Sequence, residues 1–256
     1  MKLCRFETLE SPGNARSGIV YGGKVYETDG ANPIAVHEAA DVRLFSPIGI
    51  SPAVRLLRFS STGEPDPAAY VYTNPASIAG PNQMLRVPAF VSDLDFEPYL
   101  ACVIATAAAE VSVQEADGLI LGLSILNVLV AGQERRTHGA AYARASDFAA
   151  SLGPVLTTPD ELDDALVDTD LGRRYRLPVV TRVNGLERAA GDAGSLPFTF
   201  AQVLSTASES WPLQPGEVFA MALPLESAAP PPALQPDDEI QVSVEHLGTL
   251  NSKVQW

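Results

Sequence analysis

The chain is poor in several things that would point to particular functions. Lysine is scarce: Lys2, Lys24 and Lys253 stand against 31 acidic side chains, and arginine carries most of the positive charge. The net charge is −14. A surface of that sign repels phosphate backbones, so nucleic acid is excluded as a natural partner. Cys4 and Cys102 are the only cysteines and neither has a Cys-x-x-Cys partner, so there is no disulfide framework and no zinc-ribbon pattern. No apolar run is long enough to span a bilayer; the longest, LILGLSILNVLVA at 119–131, falls short. The start, MKLCRFETLE, has no apolar signal core, so the expected location is the cytoplasm. G-x-S-x-G, G-x-G-x-x-G and G-x-x-x-x-G-K-[ST] are all missing, which removes the hydrolase nucleophile elbow and the common nucleotide-binding loops.

What is present reads as an α+β chain that is mostly β. GIVYGGKVYE is two β-rich runs joined at Gly22-Gly23, a hairpin signal. It belongs to an N-terminal β-meander, residues 1–55, followed by a larger domain at 56–256. VRLLRF, LACVIA and SILNVLVA read as short or buried strands. RLPVVTRVNGLE is a strand ending in an Asn184-Gly185 turn. Ser112 with Glu115 is a capping-box signal opening a helix over 111–122. Thr158-Pro159 with acidic residues behind it predicts a helix over 157–168. FTFAQVLSTAS predicts a short amphipathic helix. SSTGEPDPAA at 60–69 and ESAAPPPA at 226–233 read as loops, and ERRTH at 134–138 as a solvated basic loop. Cys102, in an apolar strand with no basic neighbour, is expected to be a buried, inert thiol.

Taken in order, nine phrases resemble the fumarylacetoacetate hydrolase (FAH) superfamily. They are MKLCRF, GIVYGGKVYE, NPASIAGPNQMLRVP, DFEPYLACVIA, GLSILN, SDFAASLGPVLTTPDEL, VTRVNGLE, LQPGEVFAMALP and VEHLGTLNSKV, and they cover almost the whole chain. The resemblance implies an FAH-like mixed β-sandwich roll with a small N-terminal β-domain, usually dimeric. It implies hydrolysis, decarboxylation, hydration or isomerisation of small 2-oxo or 1,3-dicarbonyl acids. That chemistry uses three carboxylates on Mg²⁺ or Mn²⁺, the hard, oxygen-liganded ions suited to holding an oxo-acid and stabilising its enolate. A His-Glu pair activates water, and a Lys and a Gly-Thr-Pro turn complete the pocket.

Carried over position by position, the resemblance puts the first metal ligand on Glu97, the second on Tyr99 and the third on Val128, beside a retained Asn127. A phenol and a valine are not ligands for a hard cation. The expected metal site is therefore vestigial. The His-Glu segment falls on 60–69, which has no histidine; His37, His138 and His246 lie elsewhere. The Lys position falls on Arg144, too basic to shuttle a proton. The turn reads Ala222-Leu223-Pro224.

These departures imply an FAH-superfamily protein without metal-dependent catalysis and with no cofactor. It would act as a homodimer, as a non-catalytic subunit beside an active FAH paralogue, or as a binder of a small carboxylic acid. The alternative is an active hydrolase, decarboxylase or isomerase with a rebuilt pocket around Glu97, Tyr99 and Arg144, using Mg or Mn if any metal. Whether 60–69 forms a lid is open at this level.

Overall fold

A computed structural model describes all residues except 31, 60–64, 140 and 228–231, with the side chain of residue 168 also left out. The predicted lid loop at 60–69 and the Pro-rich loop at 226–233 therefore lie partly outside the described residues.

In chain order the strands are β1 (Lys2–Thr8), β2 (Ser11–Tyr21), β3 (Lys24–Thr28), β4 (Pro33–Glu38), β5 (Val42–Phe45), β6 (Val54–Leu57) and β7 (Tyr70–Thr73). Then come β8 (Ile78–Ala79), β9 (Gln83–Arg86), β10 (Leu94–Ile104), β11 (Ile120–Ala131), β12 (Ala150–Thr157), β13 (Leu166–Thr169) and β14 (Gly172–Tyr175). The last are β15 (Pro178–Val183), β16 (Leu186–Asp192), β17 (Val218–Ala222), β18 (Leu225–Glu226), β19 (Glu239–Val244) and β20 (Gly248–Gln255). The α-helices are α1 (Val113–Ala116), α2 (Gly132–His138) and α3 (Phe200–Ser210).

Among the described residues twelve strands share one sheet. Its main path runs β4-β3-β2-β1-β12-β11-β10-β17-β6-β7, with β5 on β1 and β8 on β12. A second sheet of six strands runs β18-β16-β15-β19-β20-β9. The N-terminal meander joins the large sheet through β1, whose Lys2 and Leu3 pair with Thr157 and Leu156 of β12.

The two sheets are read differently in the sequence because they are buried differently. β10 and β11 are covered on both faces, so LACVI is an unbroken apolar run and SILNVLVA is broken only by the buried Ser124 and Asn127. One face of β10, through Leu100, Cys102 and Ile104, joins the large core between the sheets, together with Val242 and Leu250 of the smaller sheet. The other face, through Tyr99, Ala101 and Val103, packs with Val54, Leu56, Leu126, Val128 and Leu152. β19, by contrast, alternates: Ile240, Val242 and Val244 are buried, whereas Gln241 and Ser243 face outward.

The Gly22-Gly23 and Asn184-Gly185 turns are hairpins as predicted, joining β2 to β3 and β15 to β16. Both residues of each pair have positive φ, 58° and 78° in the first and 52° and 78° in the second. That is the conformation a tight turn between right-twisted strands requires and that glycine and asparagine adopt most cheaply. Helix α3, predicted from the sequence, opens on a capping box: the Thr199 side chain accepts from the Gln202 amide, and the Gln202 side-chain oxygen accepts from the Thr199 amide.

Three local readings need correction. The segment after Ser112 has its capping box, but α1 is only four residues long and β11 begins at Ile120. The pull of a long, doubly buried strand ends the helix early. Residues 159–165 form 3₁₀ turns rather than an α-helix, after which β13 takes 166–169 into a hairpin. ERRTH is part of helix α2, with Arg135, Arg136 and His138 in its last turn, where positive charge opposes the helix dipole favourably.

Candidate functional site

Glu97 is the fourth residue of β10, and Tyr99 follows two places on. Alternation puts both on one face, the face shared with Ala101 and Val103. In the pairing with β11, Glu97 stands opposite Val128, Pro98 opposite Asn127 and Tyr99 opposite Leu126. On its other side Tyr99 pairs with Ala222 of β17, and the Leu223 amide donates to the Pro98 carbonyl at 3.0 Å. Glu97, Tyr99, Val128 and the Ala222-Leu223-Pro224 turn are thus brought together on three adjacent strands. Asn127 falls on the opposite face and is buried.

The carboxylate of Glu97 is already filled. Arg58 Nε donates to Glu97 Oε2 at 2.7 Å, and the Tyr99 hydroxyl donates to the same oxygen. Arg135 Nη2 donates to Oε1 at 3.0 Å. Arg58 also donates from Nη2 to Ser146 Oγ at 3.0 Å, which ties the cluster to the loop before β12. Its guanidinium lies 5.9 Å from the centre of the Tyr99 ring. The side chains of Arg58 and Glu97 are only 9 % and 20 % exposed, so solvent screens them little.

These contacts set the protonation states. Burial is the largest influence on Glu97 and opposes ionisation, but Arg58 and Arg135 together outweigh it and hold the carboxyl below its usual range. Burial, reinforced by the Glu97 charge, pushes the Tyr99 phenol well above its usual range. The result is a fixed carboxylate and a fixed neutral phenol held between two guanidinium groups. Arg135, 30 % exposed, opens onto a hollow of about 380 Å³ lined also by Asp95, Phe96, Val130 and Arg136. Arg136 and Arg188 are paired with Asp93 and Asp95.

Arg144, a candidate for this pocket from sequence, is not among the side chains bonded to Glu97; it lies two residues before the Ser146 that Arg58 contacts, and its guanidinium stacks on Phe90 at 4.1 Å. The cations on Glu97 are Arg58 and Arg135, which sequence reasoning passed over. A signal for Arg58 existed. It continues the Val54–Leu56 alternation of β6, so an arginine at 58 falls on an otherwise apolar, core-facing row. Arg135 was hidden by reading 134–138 as a solvated loop.

A divalent cation does not fit this arrangement. Among the described residues the one carboxylate at the position is occupied by two guanidinium groups and a phenol, and Val128 offers hydrocarbon. Among the described residues no three His, Cys, Asp or Glu side chains converge. A hard cation needs several free oxygen ligands and repels guanidinium groups at this range.

The two thiols are both buried and both free. Burial pushes Cys4 up to about 12 and Cys102 higher still, so neither is a nucleophile at neutral pH.

Comparison with known proteins agrees with this architecture. An oxaloacetate tautomerase of Bacillus subtilis is 26 % identical over 71 % of the chain and 59 % of its own length. The chain thus spans about three fifths of the curated relatives it matches. The fumarylacetoacetate hydrolase of Exiguobacterium antarcticum superposes with a TM-score of 0.82, at 26 % identity, over 100 % of this chain and 99 % of that one. A maleylpyruvate hydrolase of Sphingobium, solved with manganese(II) and pyruvate, has the same fold at 18 % identity, with a TM-score of 0.78 over 100 % of this chain and 99 % of that one. The family described as fumarylacetoacetate (FAA) hydrolase C-terminal matches residues 53–255, most of the chain, and the protein belongs to that family.

Proposed function

We propose that this chain is a fumarylacetoacetate-hydrolase-family protein that does not perform the family's metal-dependent catalysis and instead binds a small carboxylic acid. The observation that carries this reading is the Glu97 carboxylate bound by Arg58, Arg135 and Tyr99. Arg58 supplies the charge that a cation would otherwise bring to Glu97. A guanidinium has no vacant coordination position and cannot polarise a carbonyl as a Lewis acid does. It can hold a carboxylate by paired hydrogen bonds, and Arg135, partly exposed at the edge of the hollow, is placed to do so.

The acid–base tuning supports the same reading. A general base works best with a pKa near the operating pH. Glu97 is held low and Tyr99 high, so at neutral pH neither takes nor gives a proton readily.

A second reading follows from the similarity to the B. subtilis oxaloacetate tautomerase: enolisation of a 2-oxo acid in a rebuilt pocket, with Arg135 holding the substrate carboxylate. Turnover separates the two. The pure protein, given oxaloacetate and acylpyruvates with and without Mn²⁺, is expected to leave each at its uncatalysed rate while a 2-oxo acid still binds with Arg135-dependent affinity. Turnover that disappears in Glu97→Gln would overturn the non-catalytic reading.

We further propose that the chain assembles as a homodimer or with an active family member, which native mass measurement after co-expression would test. No helix among the described residues is long and apolar enough to cross a membrane.

A further inference from the structure

The chain has 31 acidic and 17 basic side chains, and among the described residues seven of its fourteen arginines form an ion pair with a carboxylate, including Arg16 with Glu27, Arg43 with Glu7, Arg55 with Glu217 and Arg188 with Asp95. Lys2, Arg176 and Arg182 differ. Among the described residues none of the three is paired with a carboxylate. All three line one depression on the outer face of the smaller sheet, far in sequence from Glu97 and sharing no residue with its hollow.

The depression consists of two adjoining hollows, of about 430 and 320 Å³, that share Pro178, Glu245 and His246. Its floor follows from strand alternation. Val179 and Thr181 of β15 are buried, so Val180 and Arg182 face outward. Ser243 of β19 is opposite Val180, and Thr249 of β20 is opposite Ser243. The two hydroxyls lie 2.9 Å apart. Lys2 reaches the same hollow from β1 of the large sheet. His246 is held in the β19–β20 hairpin with φ of 64°, a left-handed conformation that non-glycine residues seldom take. Lys2 and Arg182 are both half-buried, so each has given up part of its hydration without gaining an internal counter-ion.

We propose that this depression binds a small doubly charged oxyanion, with a phosphate group as the occupant its chemistry suits best. Arg182 provides a planar fork for two oxygens and Lys2 a point charge from the opposite wall. Of the hydrogen-bonded Ser243 and Thr249 hydroxyls, one donates to the other and the second is left to donate to a remaining oxygen. Glu245 and Asp164 also line the depression, and Glu187 stands across from Arg182 on β16 without forming an ion pair. These carboxylates weaken any anion bound there and exclude highly extended polyanions.

The test is calorimetric titration of the full chain at low ionic strength with inorganic phosphate and, separately, with succinate. Expected is one-to-one binding with a Kd of ~1 mM or tighter, weakening as salt is added. Binding of phosphate alone, or of both with phosphate the tighter, supports the proposal; binding of succinate alone would overturn the phosphate assignment. Arg182→Gln and Lys2→Gln should each weaken binding about tenfold. Glu245→Gln should tighten it, and all three should melt near the parent temperature. Absence of binding by either anion, or binding unchanged in both Arg182→Gln and Lys2→Gln, would overturn it.

Discussion

Arg58→Met keeps an apolar stem of similar length and removes the guanidinium from Glu97. Removing one partner of a buried ion pair costs roughly 3–5 kcal/mol, because the other charge stays buried. Here Arg135 and Tyr99 remain on Glu97, and its side chain keeps 20 % of its exposure. The expected loss is therefore about 2–3 kcal/mol. Glu97→Gln removes the carboxylate and leaves Arg58 and Arg135 facing an amide, a comparable loss. In the double variant the lost interaction is counted only once, so it should be more stable than the sum of the singles by ~2 kcal/mol. Urea unfolding of the four proteins, compared at equal slope, measures this directly. In thermal melts the single variants should fall by roughly 5–10 °C for a chain of this size. Additivity within ~0.5 kcal/mol would refute the claim that Arg58 acts as the counter-charge of Glu97.

Three further outcomes follow. The Glu97 carboxyl has a lower pKa folded than unfolded, so its contribution is present in full above the ordinary value of 4.5 and is lost as pH falls past it. Urea midpoints across an acid series should therefore decline less steeply in Glu97→Gln than in the parent, and parallel declines would contradict this. In Gly191→Ala the added carbon would lie 2.1 Å from the Pro224 carbonyl oxygen, so the Ala222-Leu223-Pro224 turn must move; a thermal melt should register a loss of ~1–3 kcal/mol. Both thiols should resist disulfide-exchange reagents in the native protein at pH 8 and react fully in denaturant, since both are buried and both titrate far above that pH.

The fold was legible because its signals are local or periodic. Gly22-Gly23 and Asn184-Gly185 mark hairpins by the backbone angles they permit, and doubly buried strands such as β11 announce themselves as apolar runs. The helix predictions after Ser112 and Thr158 failed differently: Ser112 forms its capping box but β11 soon takes over, whereas the Thr158 hydroxyl donates to the Met1 carbonyl instead of capping, and 3₁₀ turns follow. Caps say where a helix can begin and nothing about how far tertiary packing lets it run. At the site, the family resemblance placed Glu97, Tyr99 and Val128 together, and the β10–β11 register shows them on neighbouring positions. The partners of Glu97 were not legible in the same way. Arg58 and Arg135 lie 39 and 38 residues away, on the end of β6 and on a helix read as a loop. Only tertiary structure brings them to one carboxylate, and many arginines in the chain could have played the part; Arg144, the one named from sequence, stacks on Phe90.

The central claim is that an arginine pair occupies Glu97 where a divalent cation would need it free. Its most direct test is titration of the protein with Mn²⁺, followed by the loss of the free-ion electron paramagnetic resonance signal. The account predicts that the signal grows as in buffer, with no binding tighter than ~1 mM. A one-to-one site with micromolar affinity that vanishes in Glu97→Gln would contradict it.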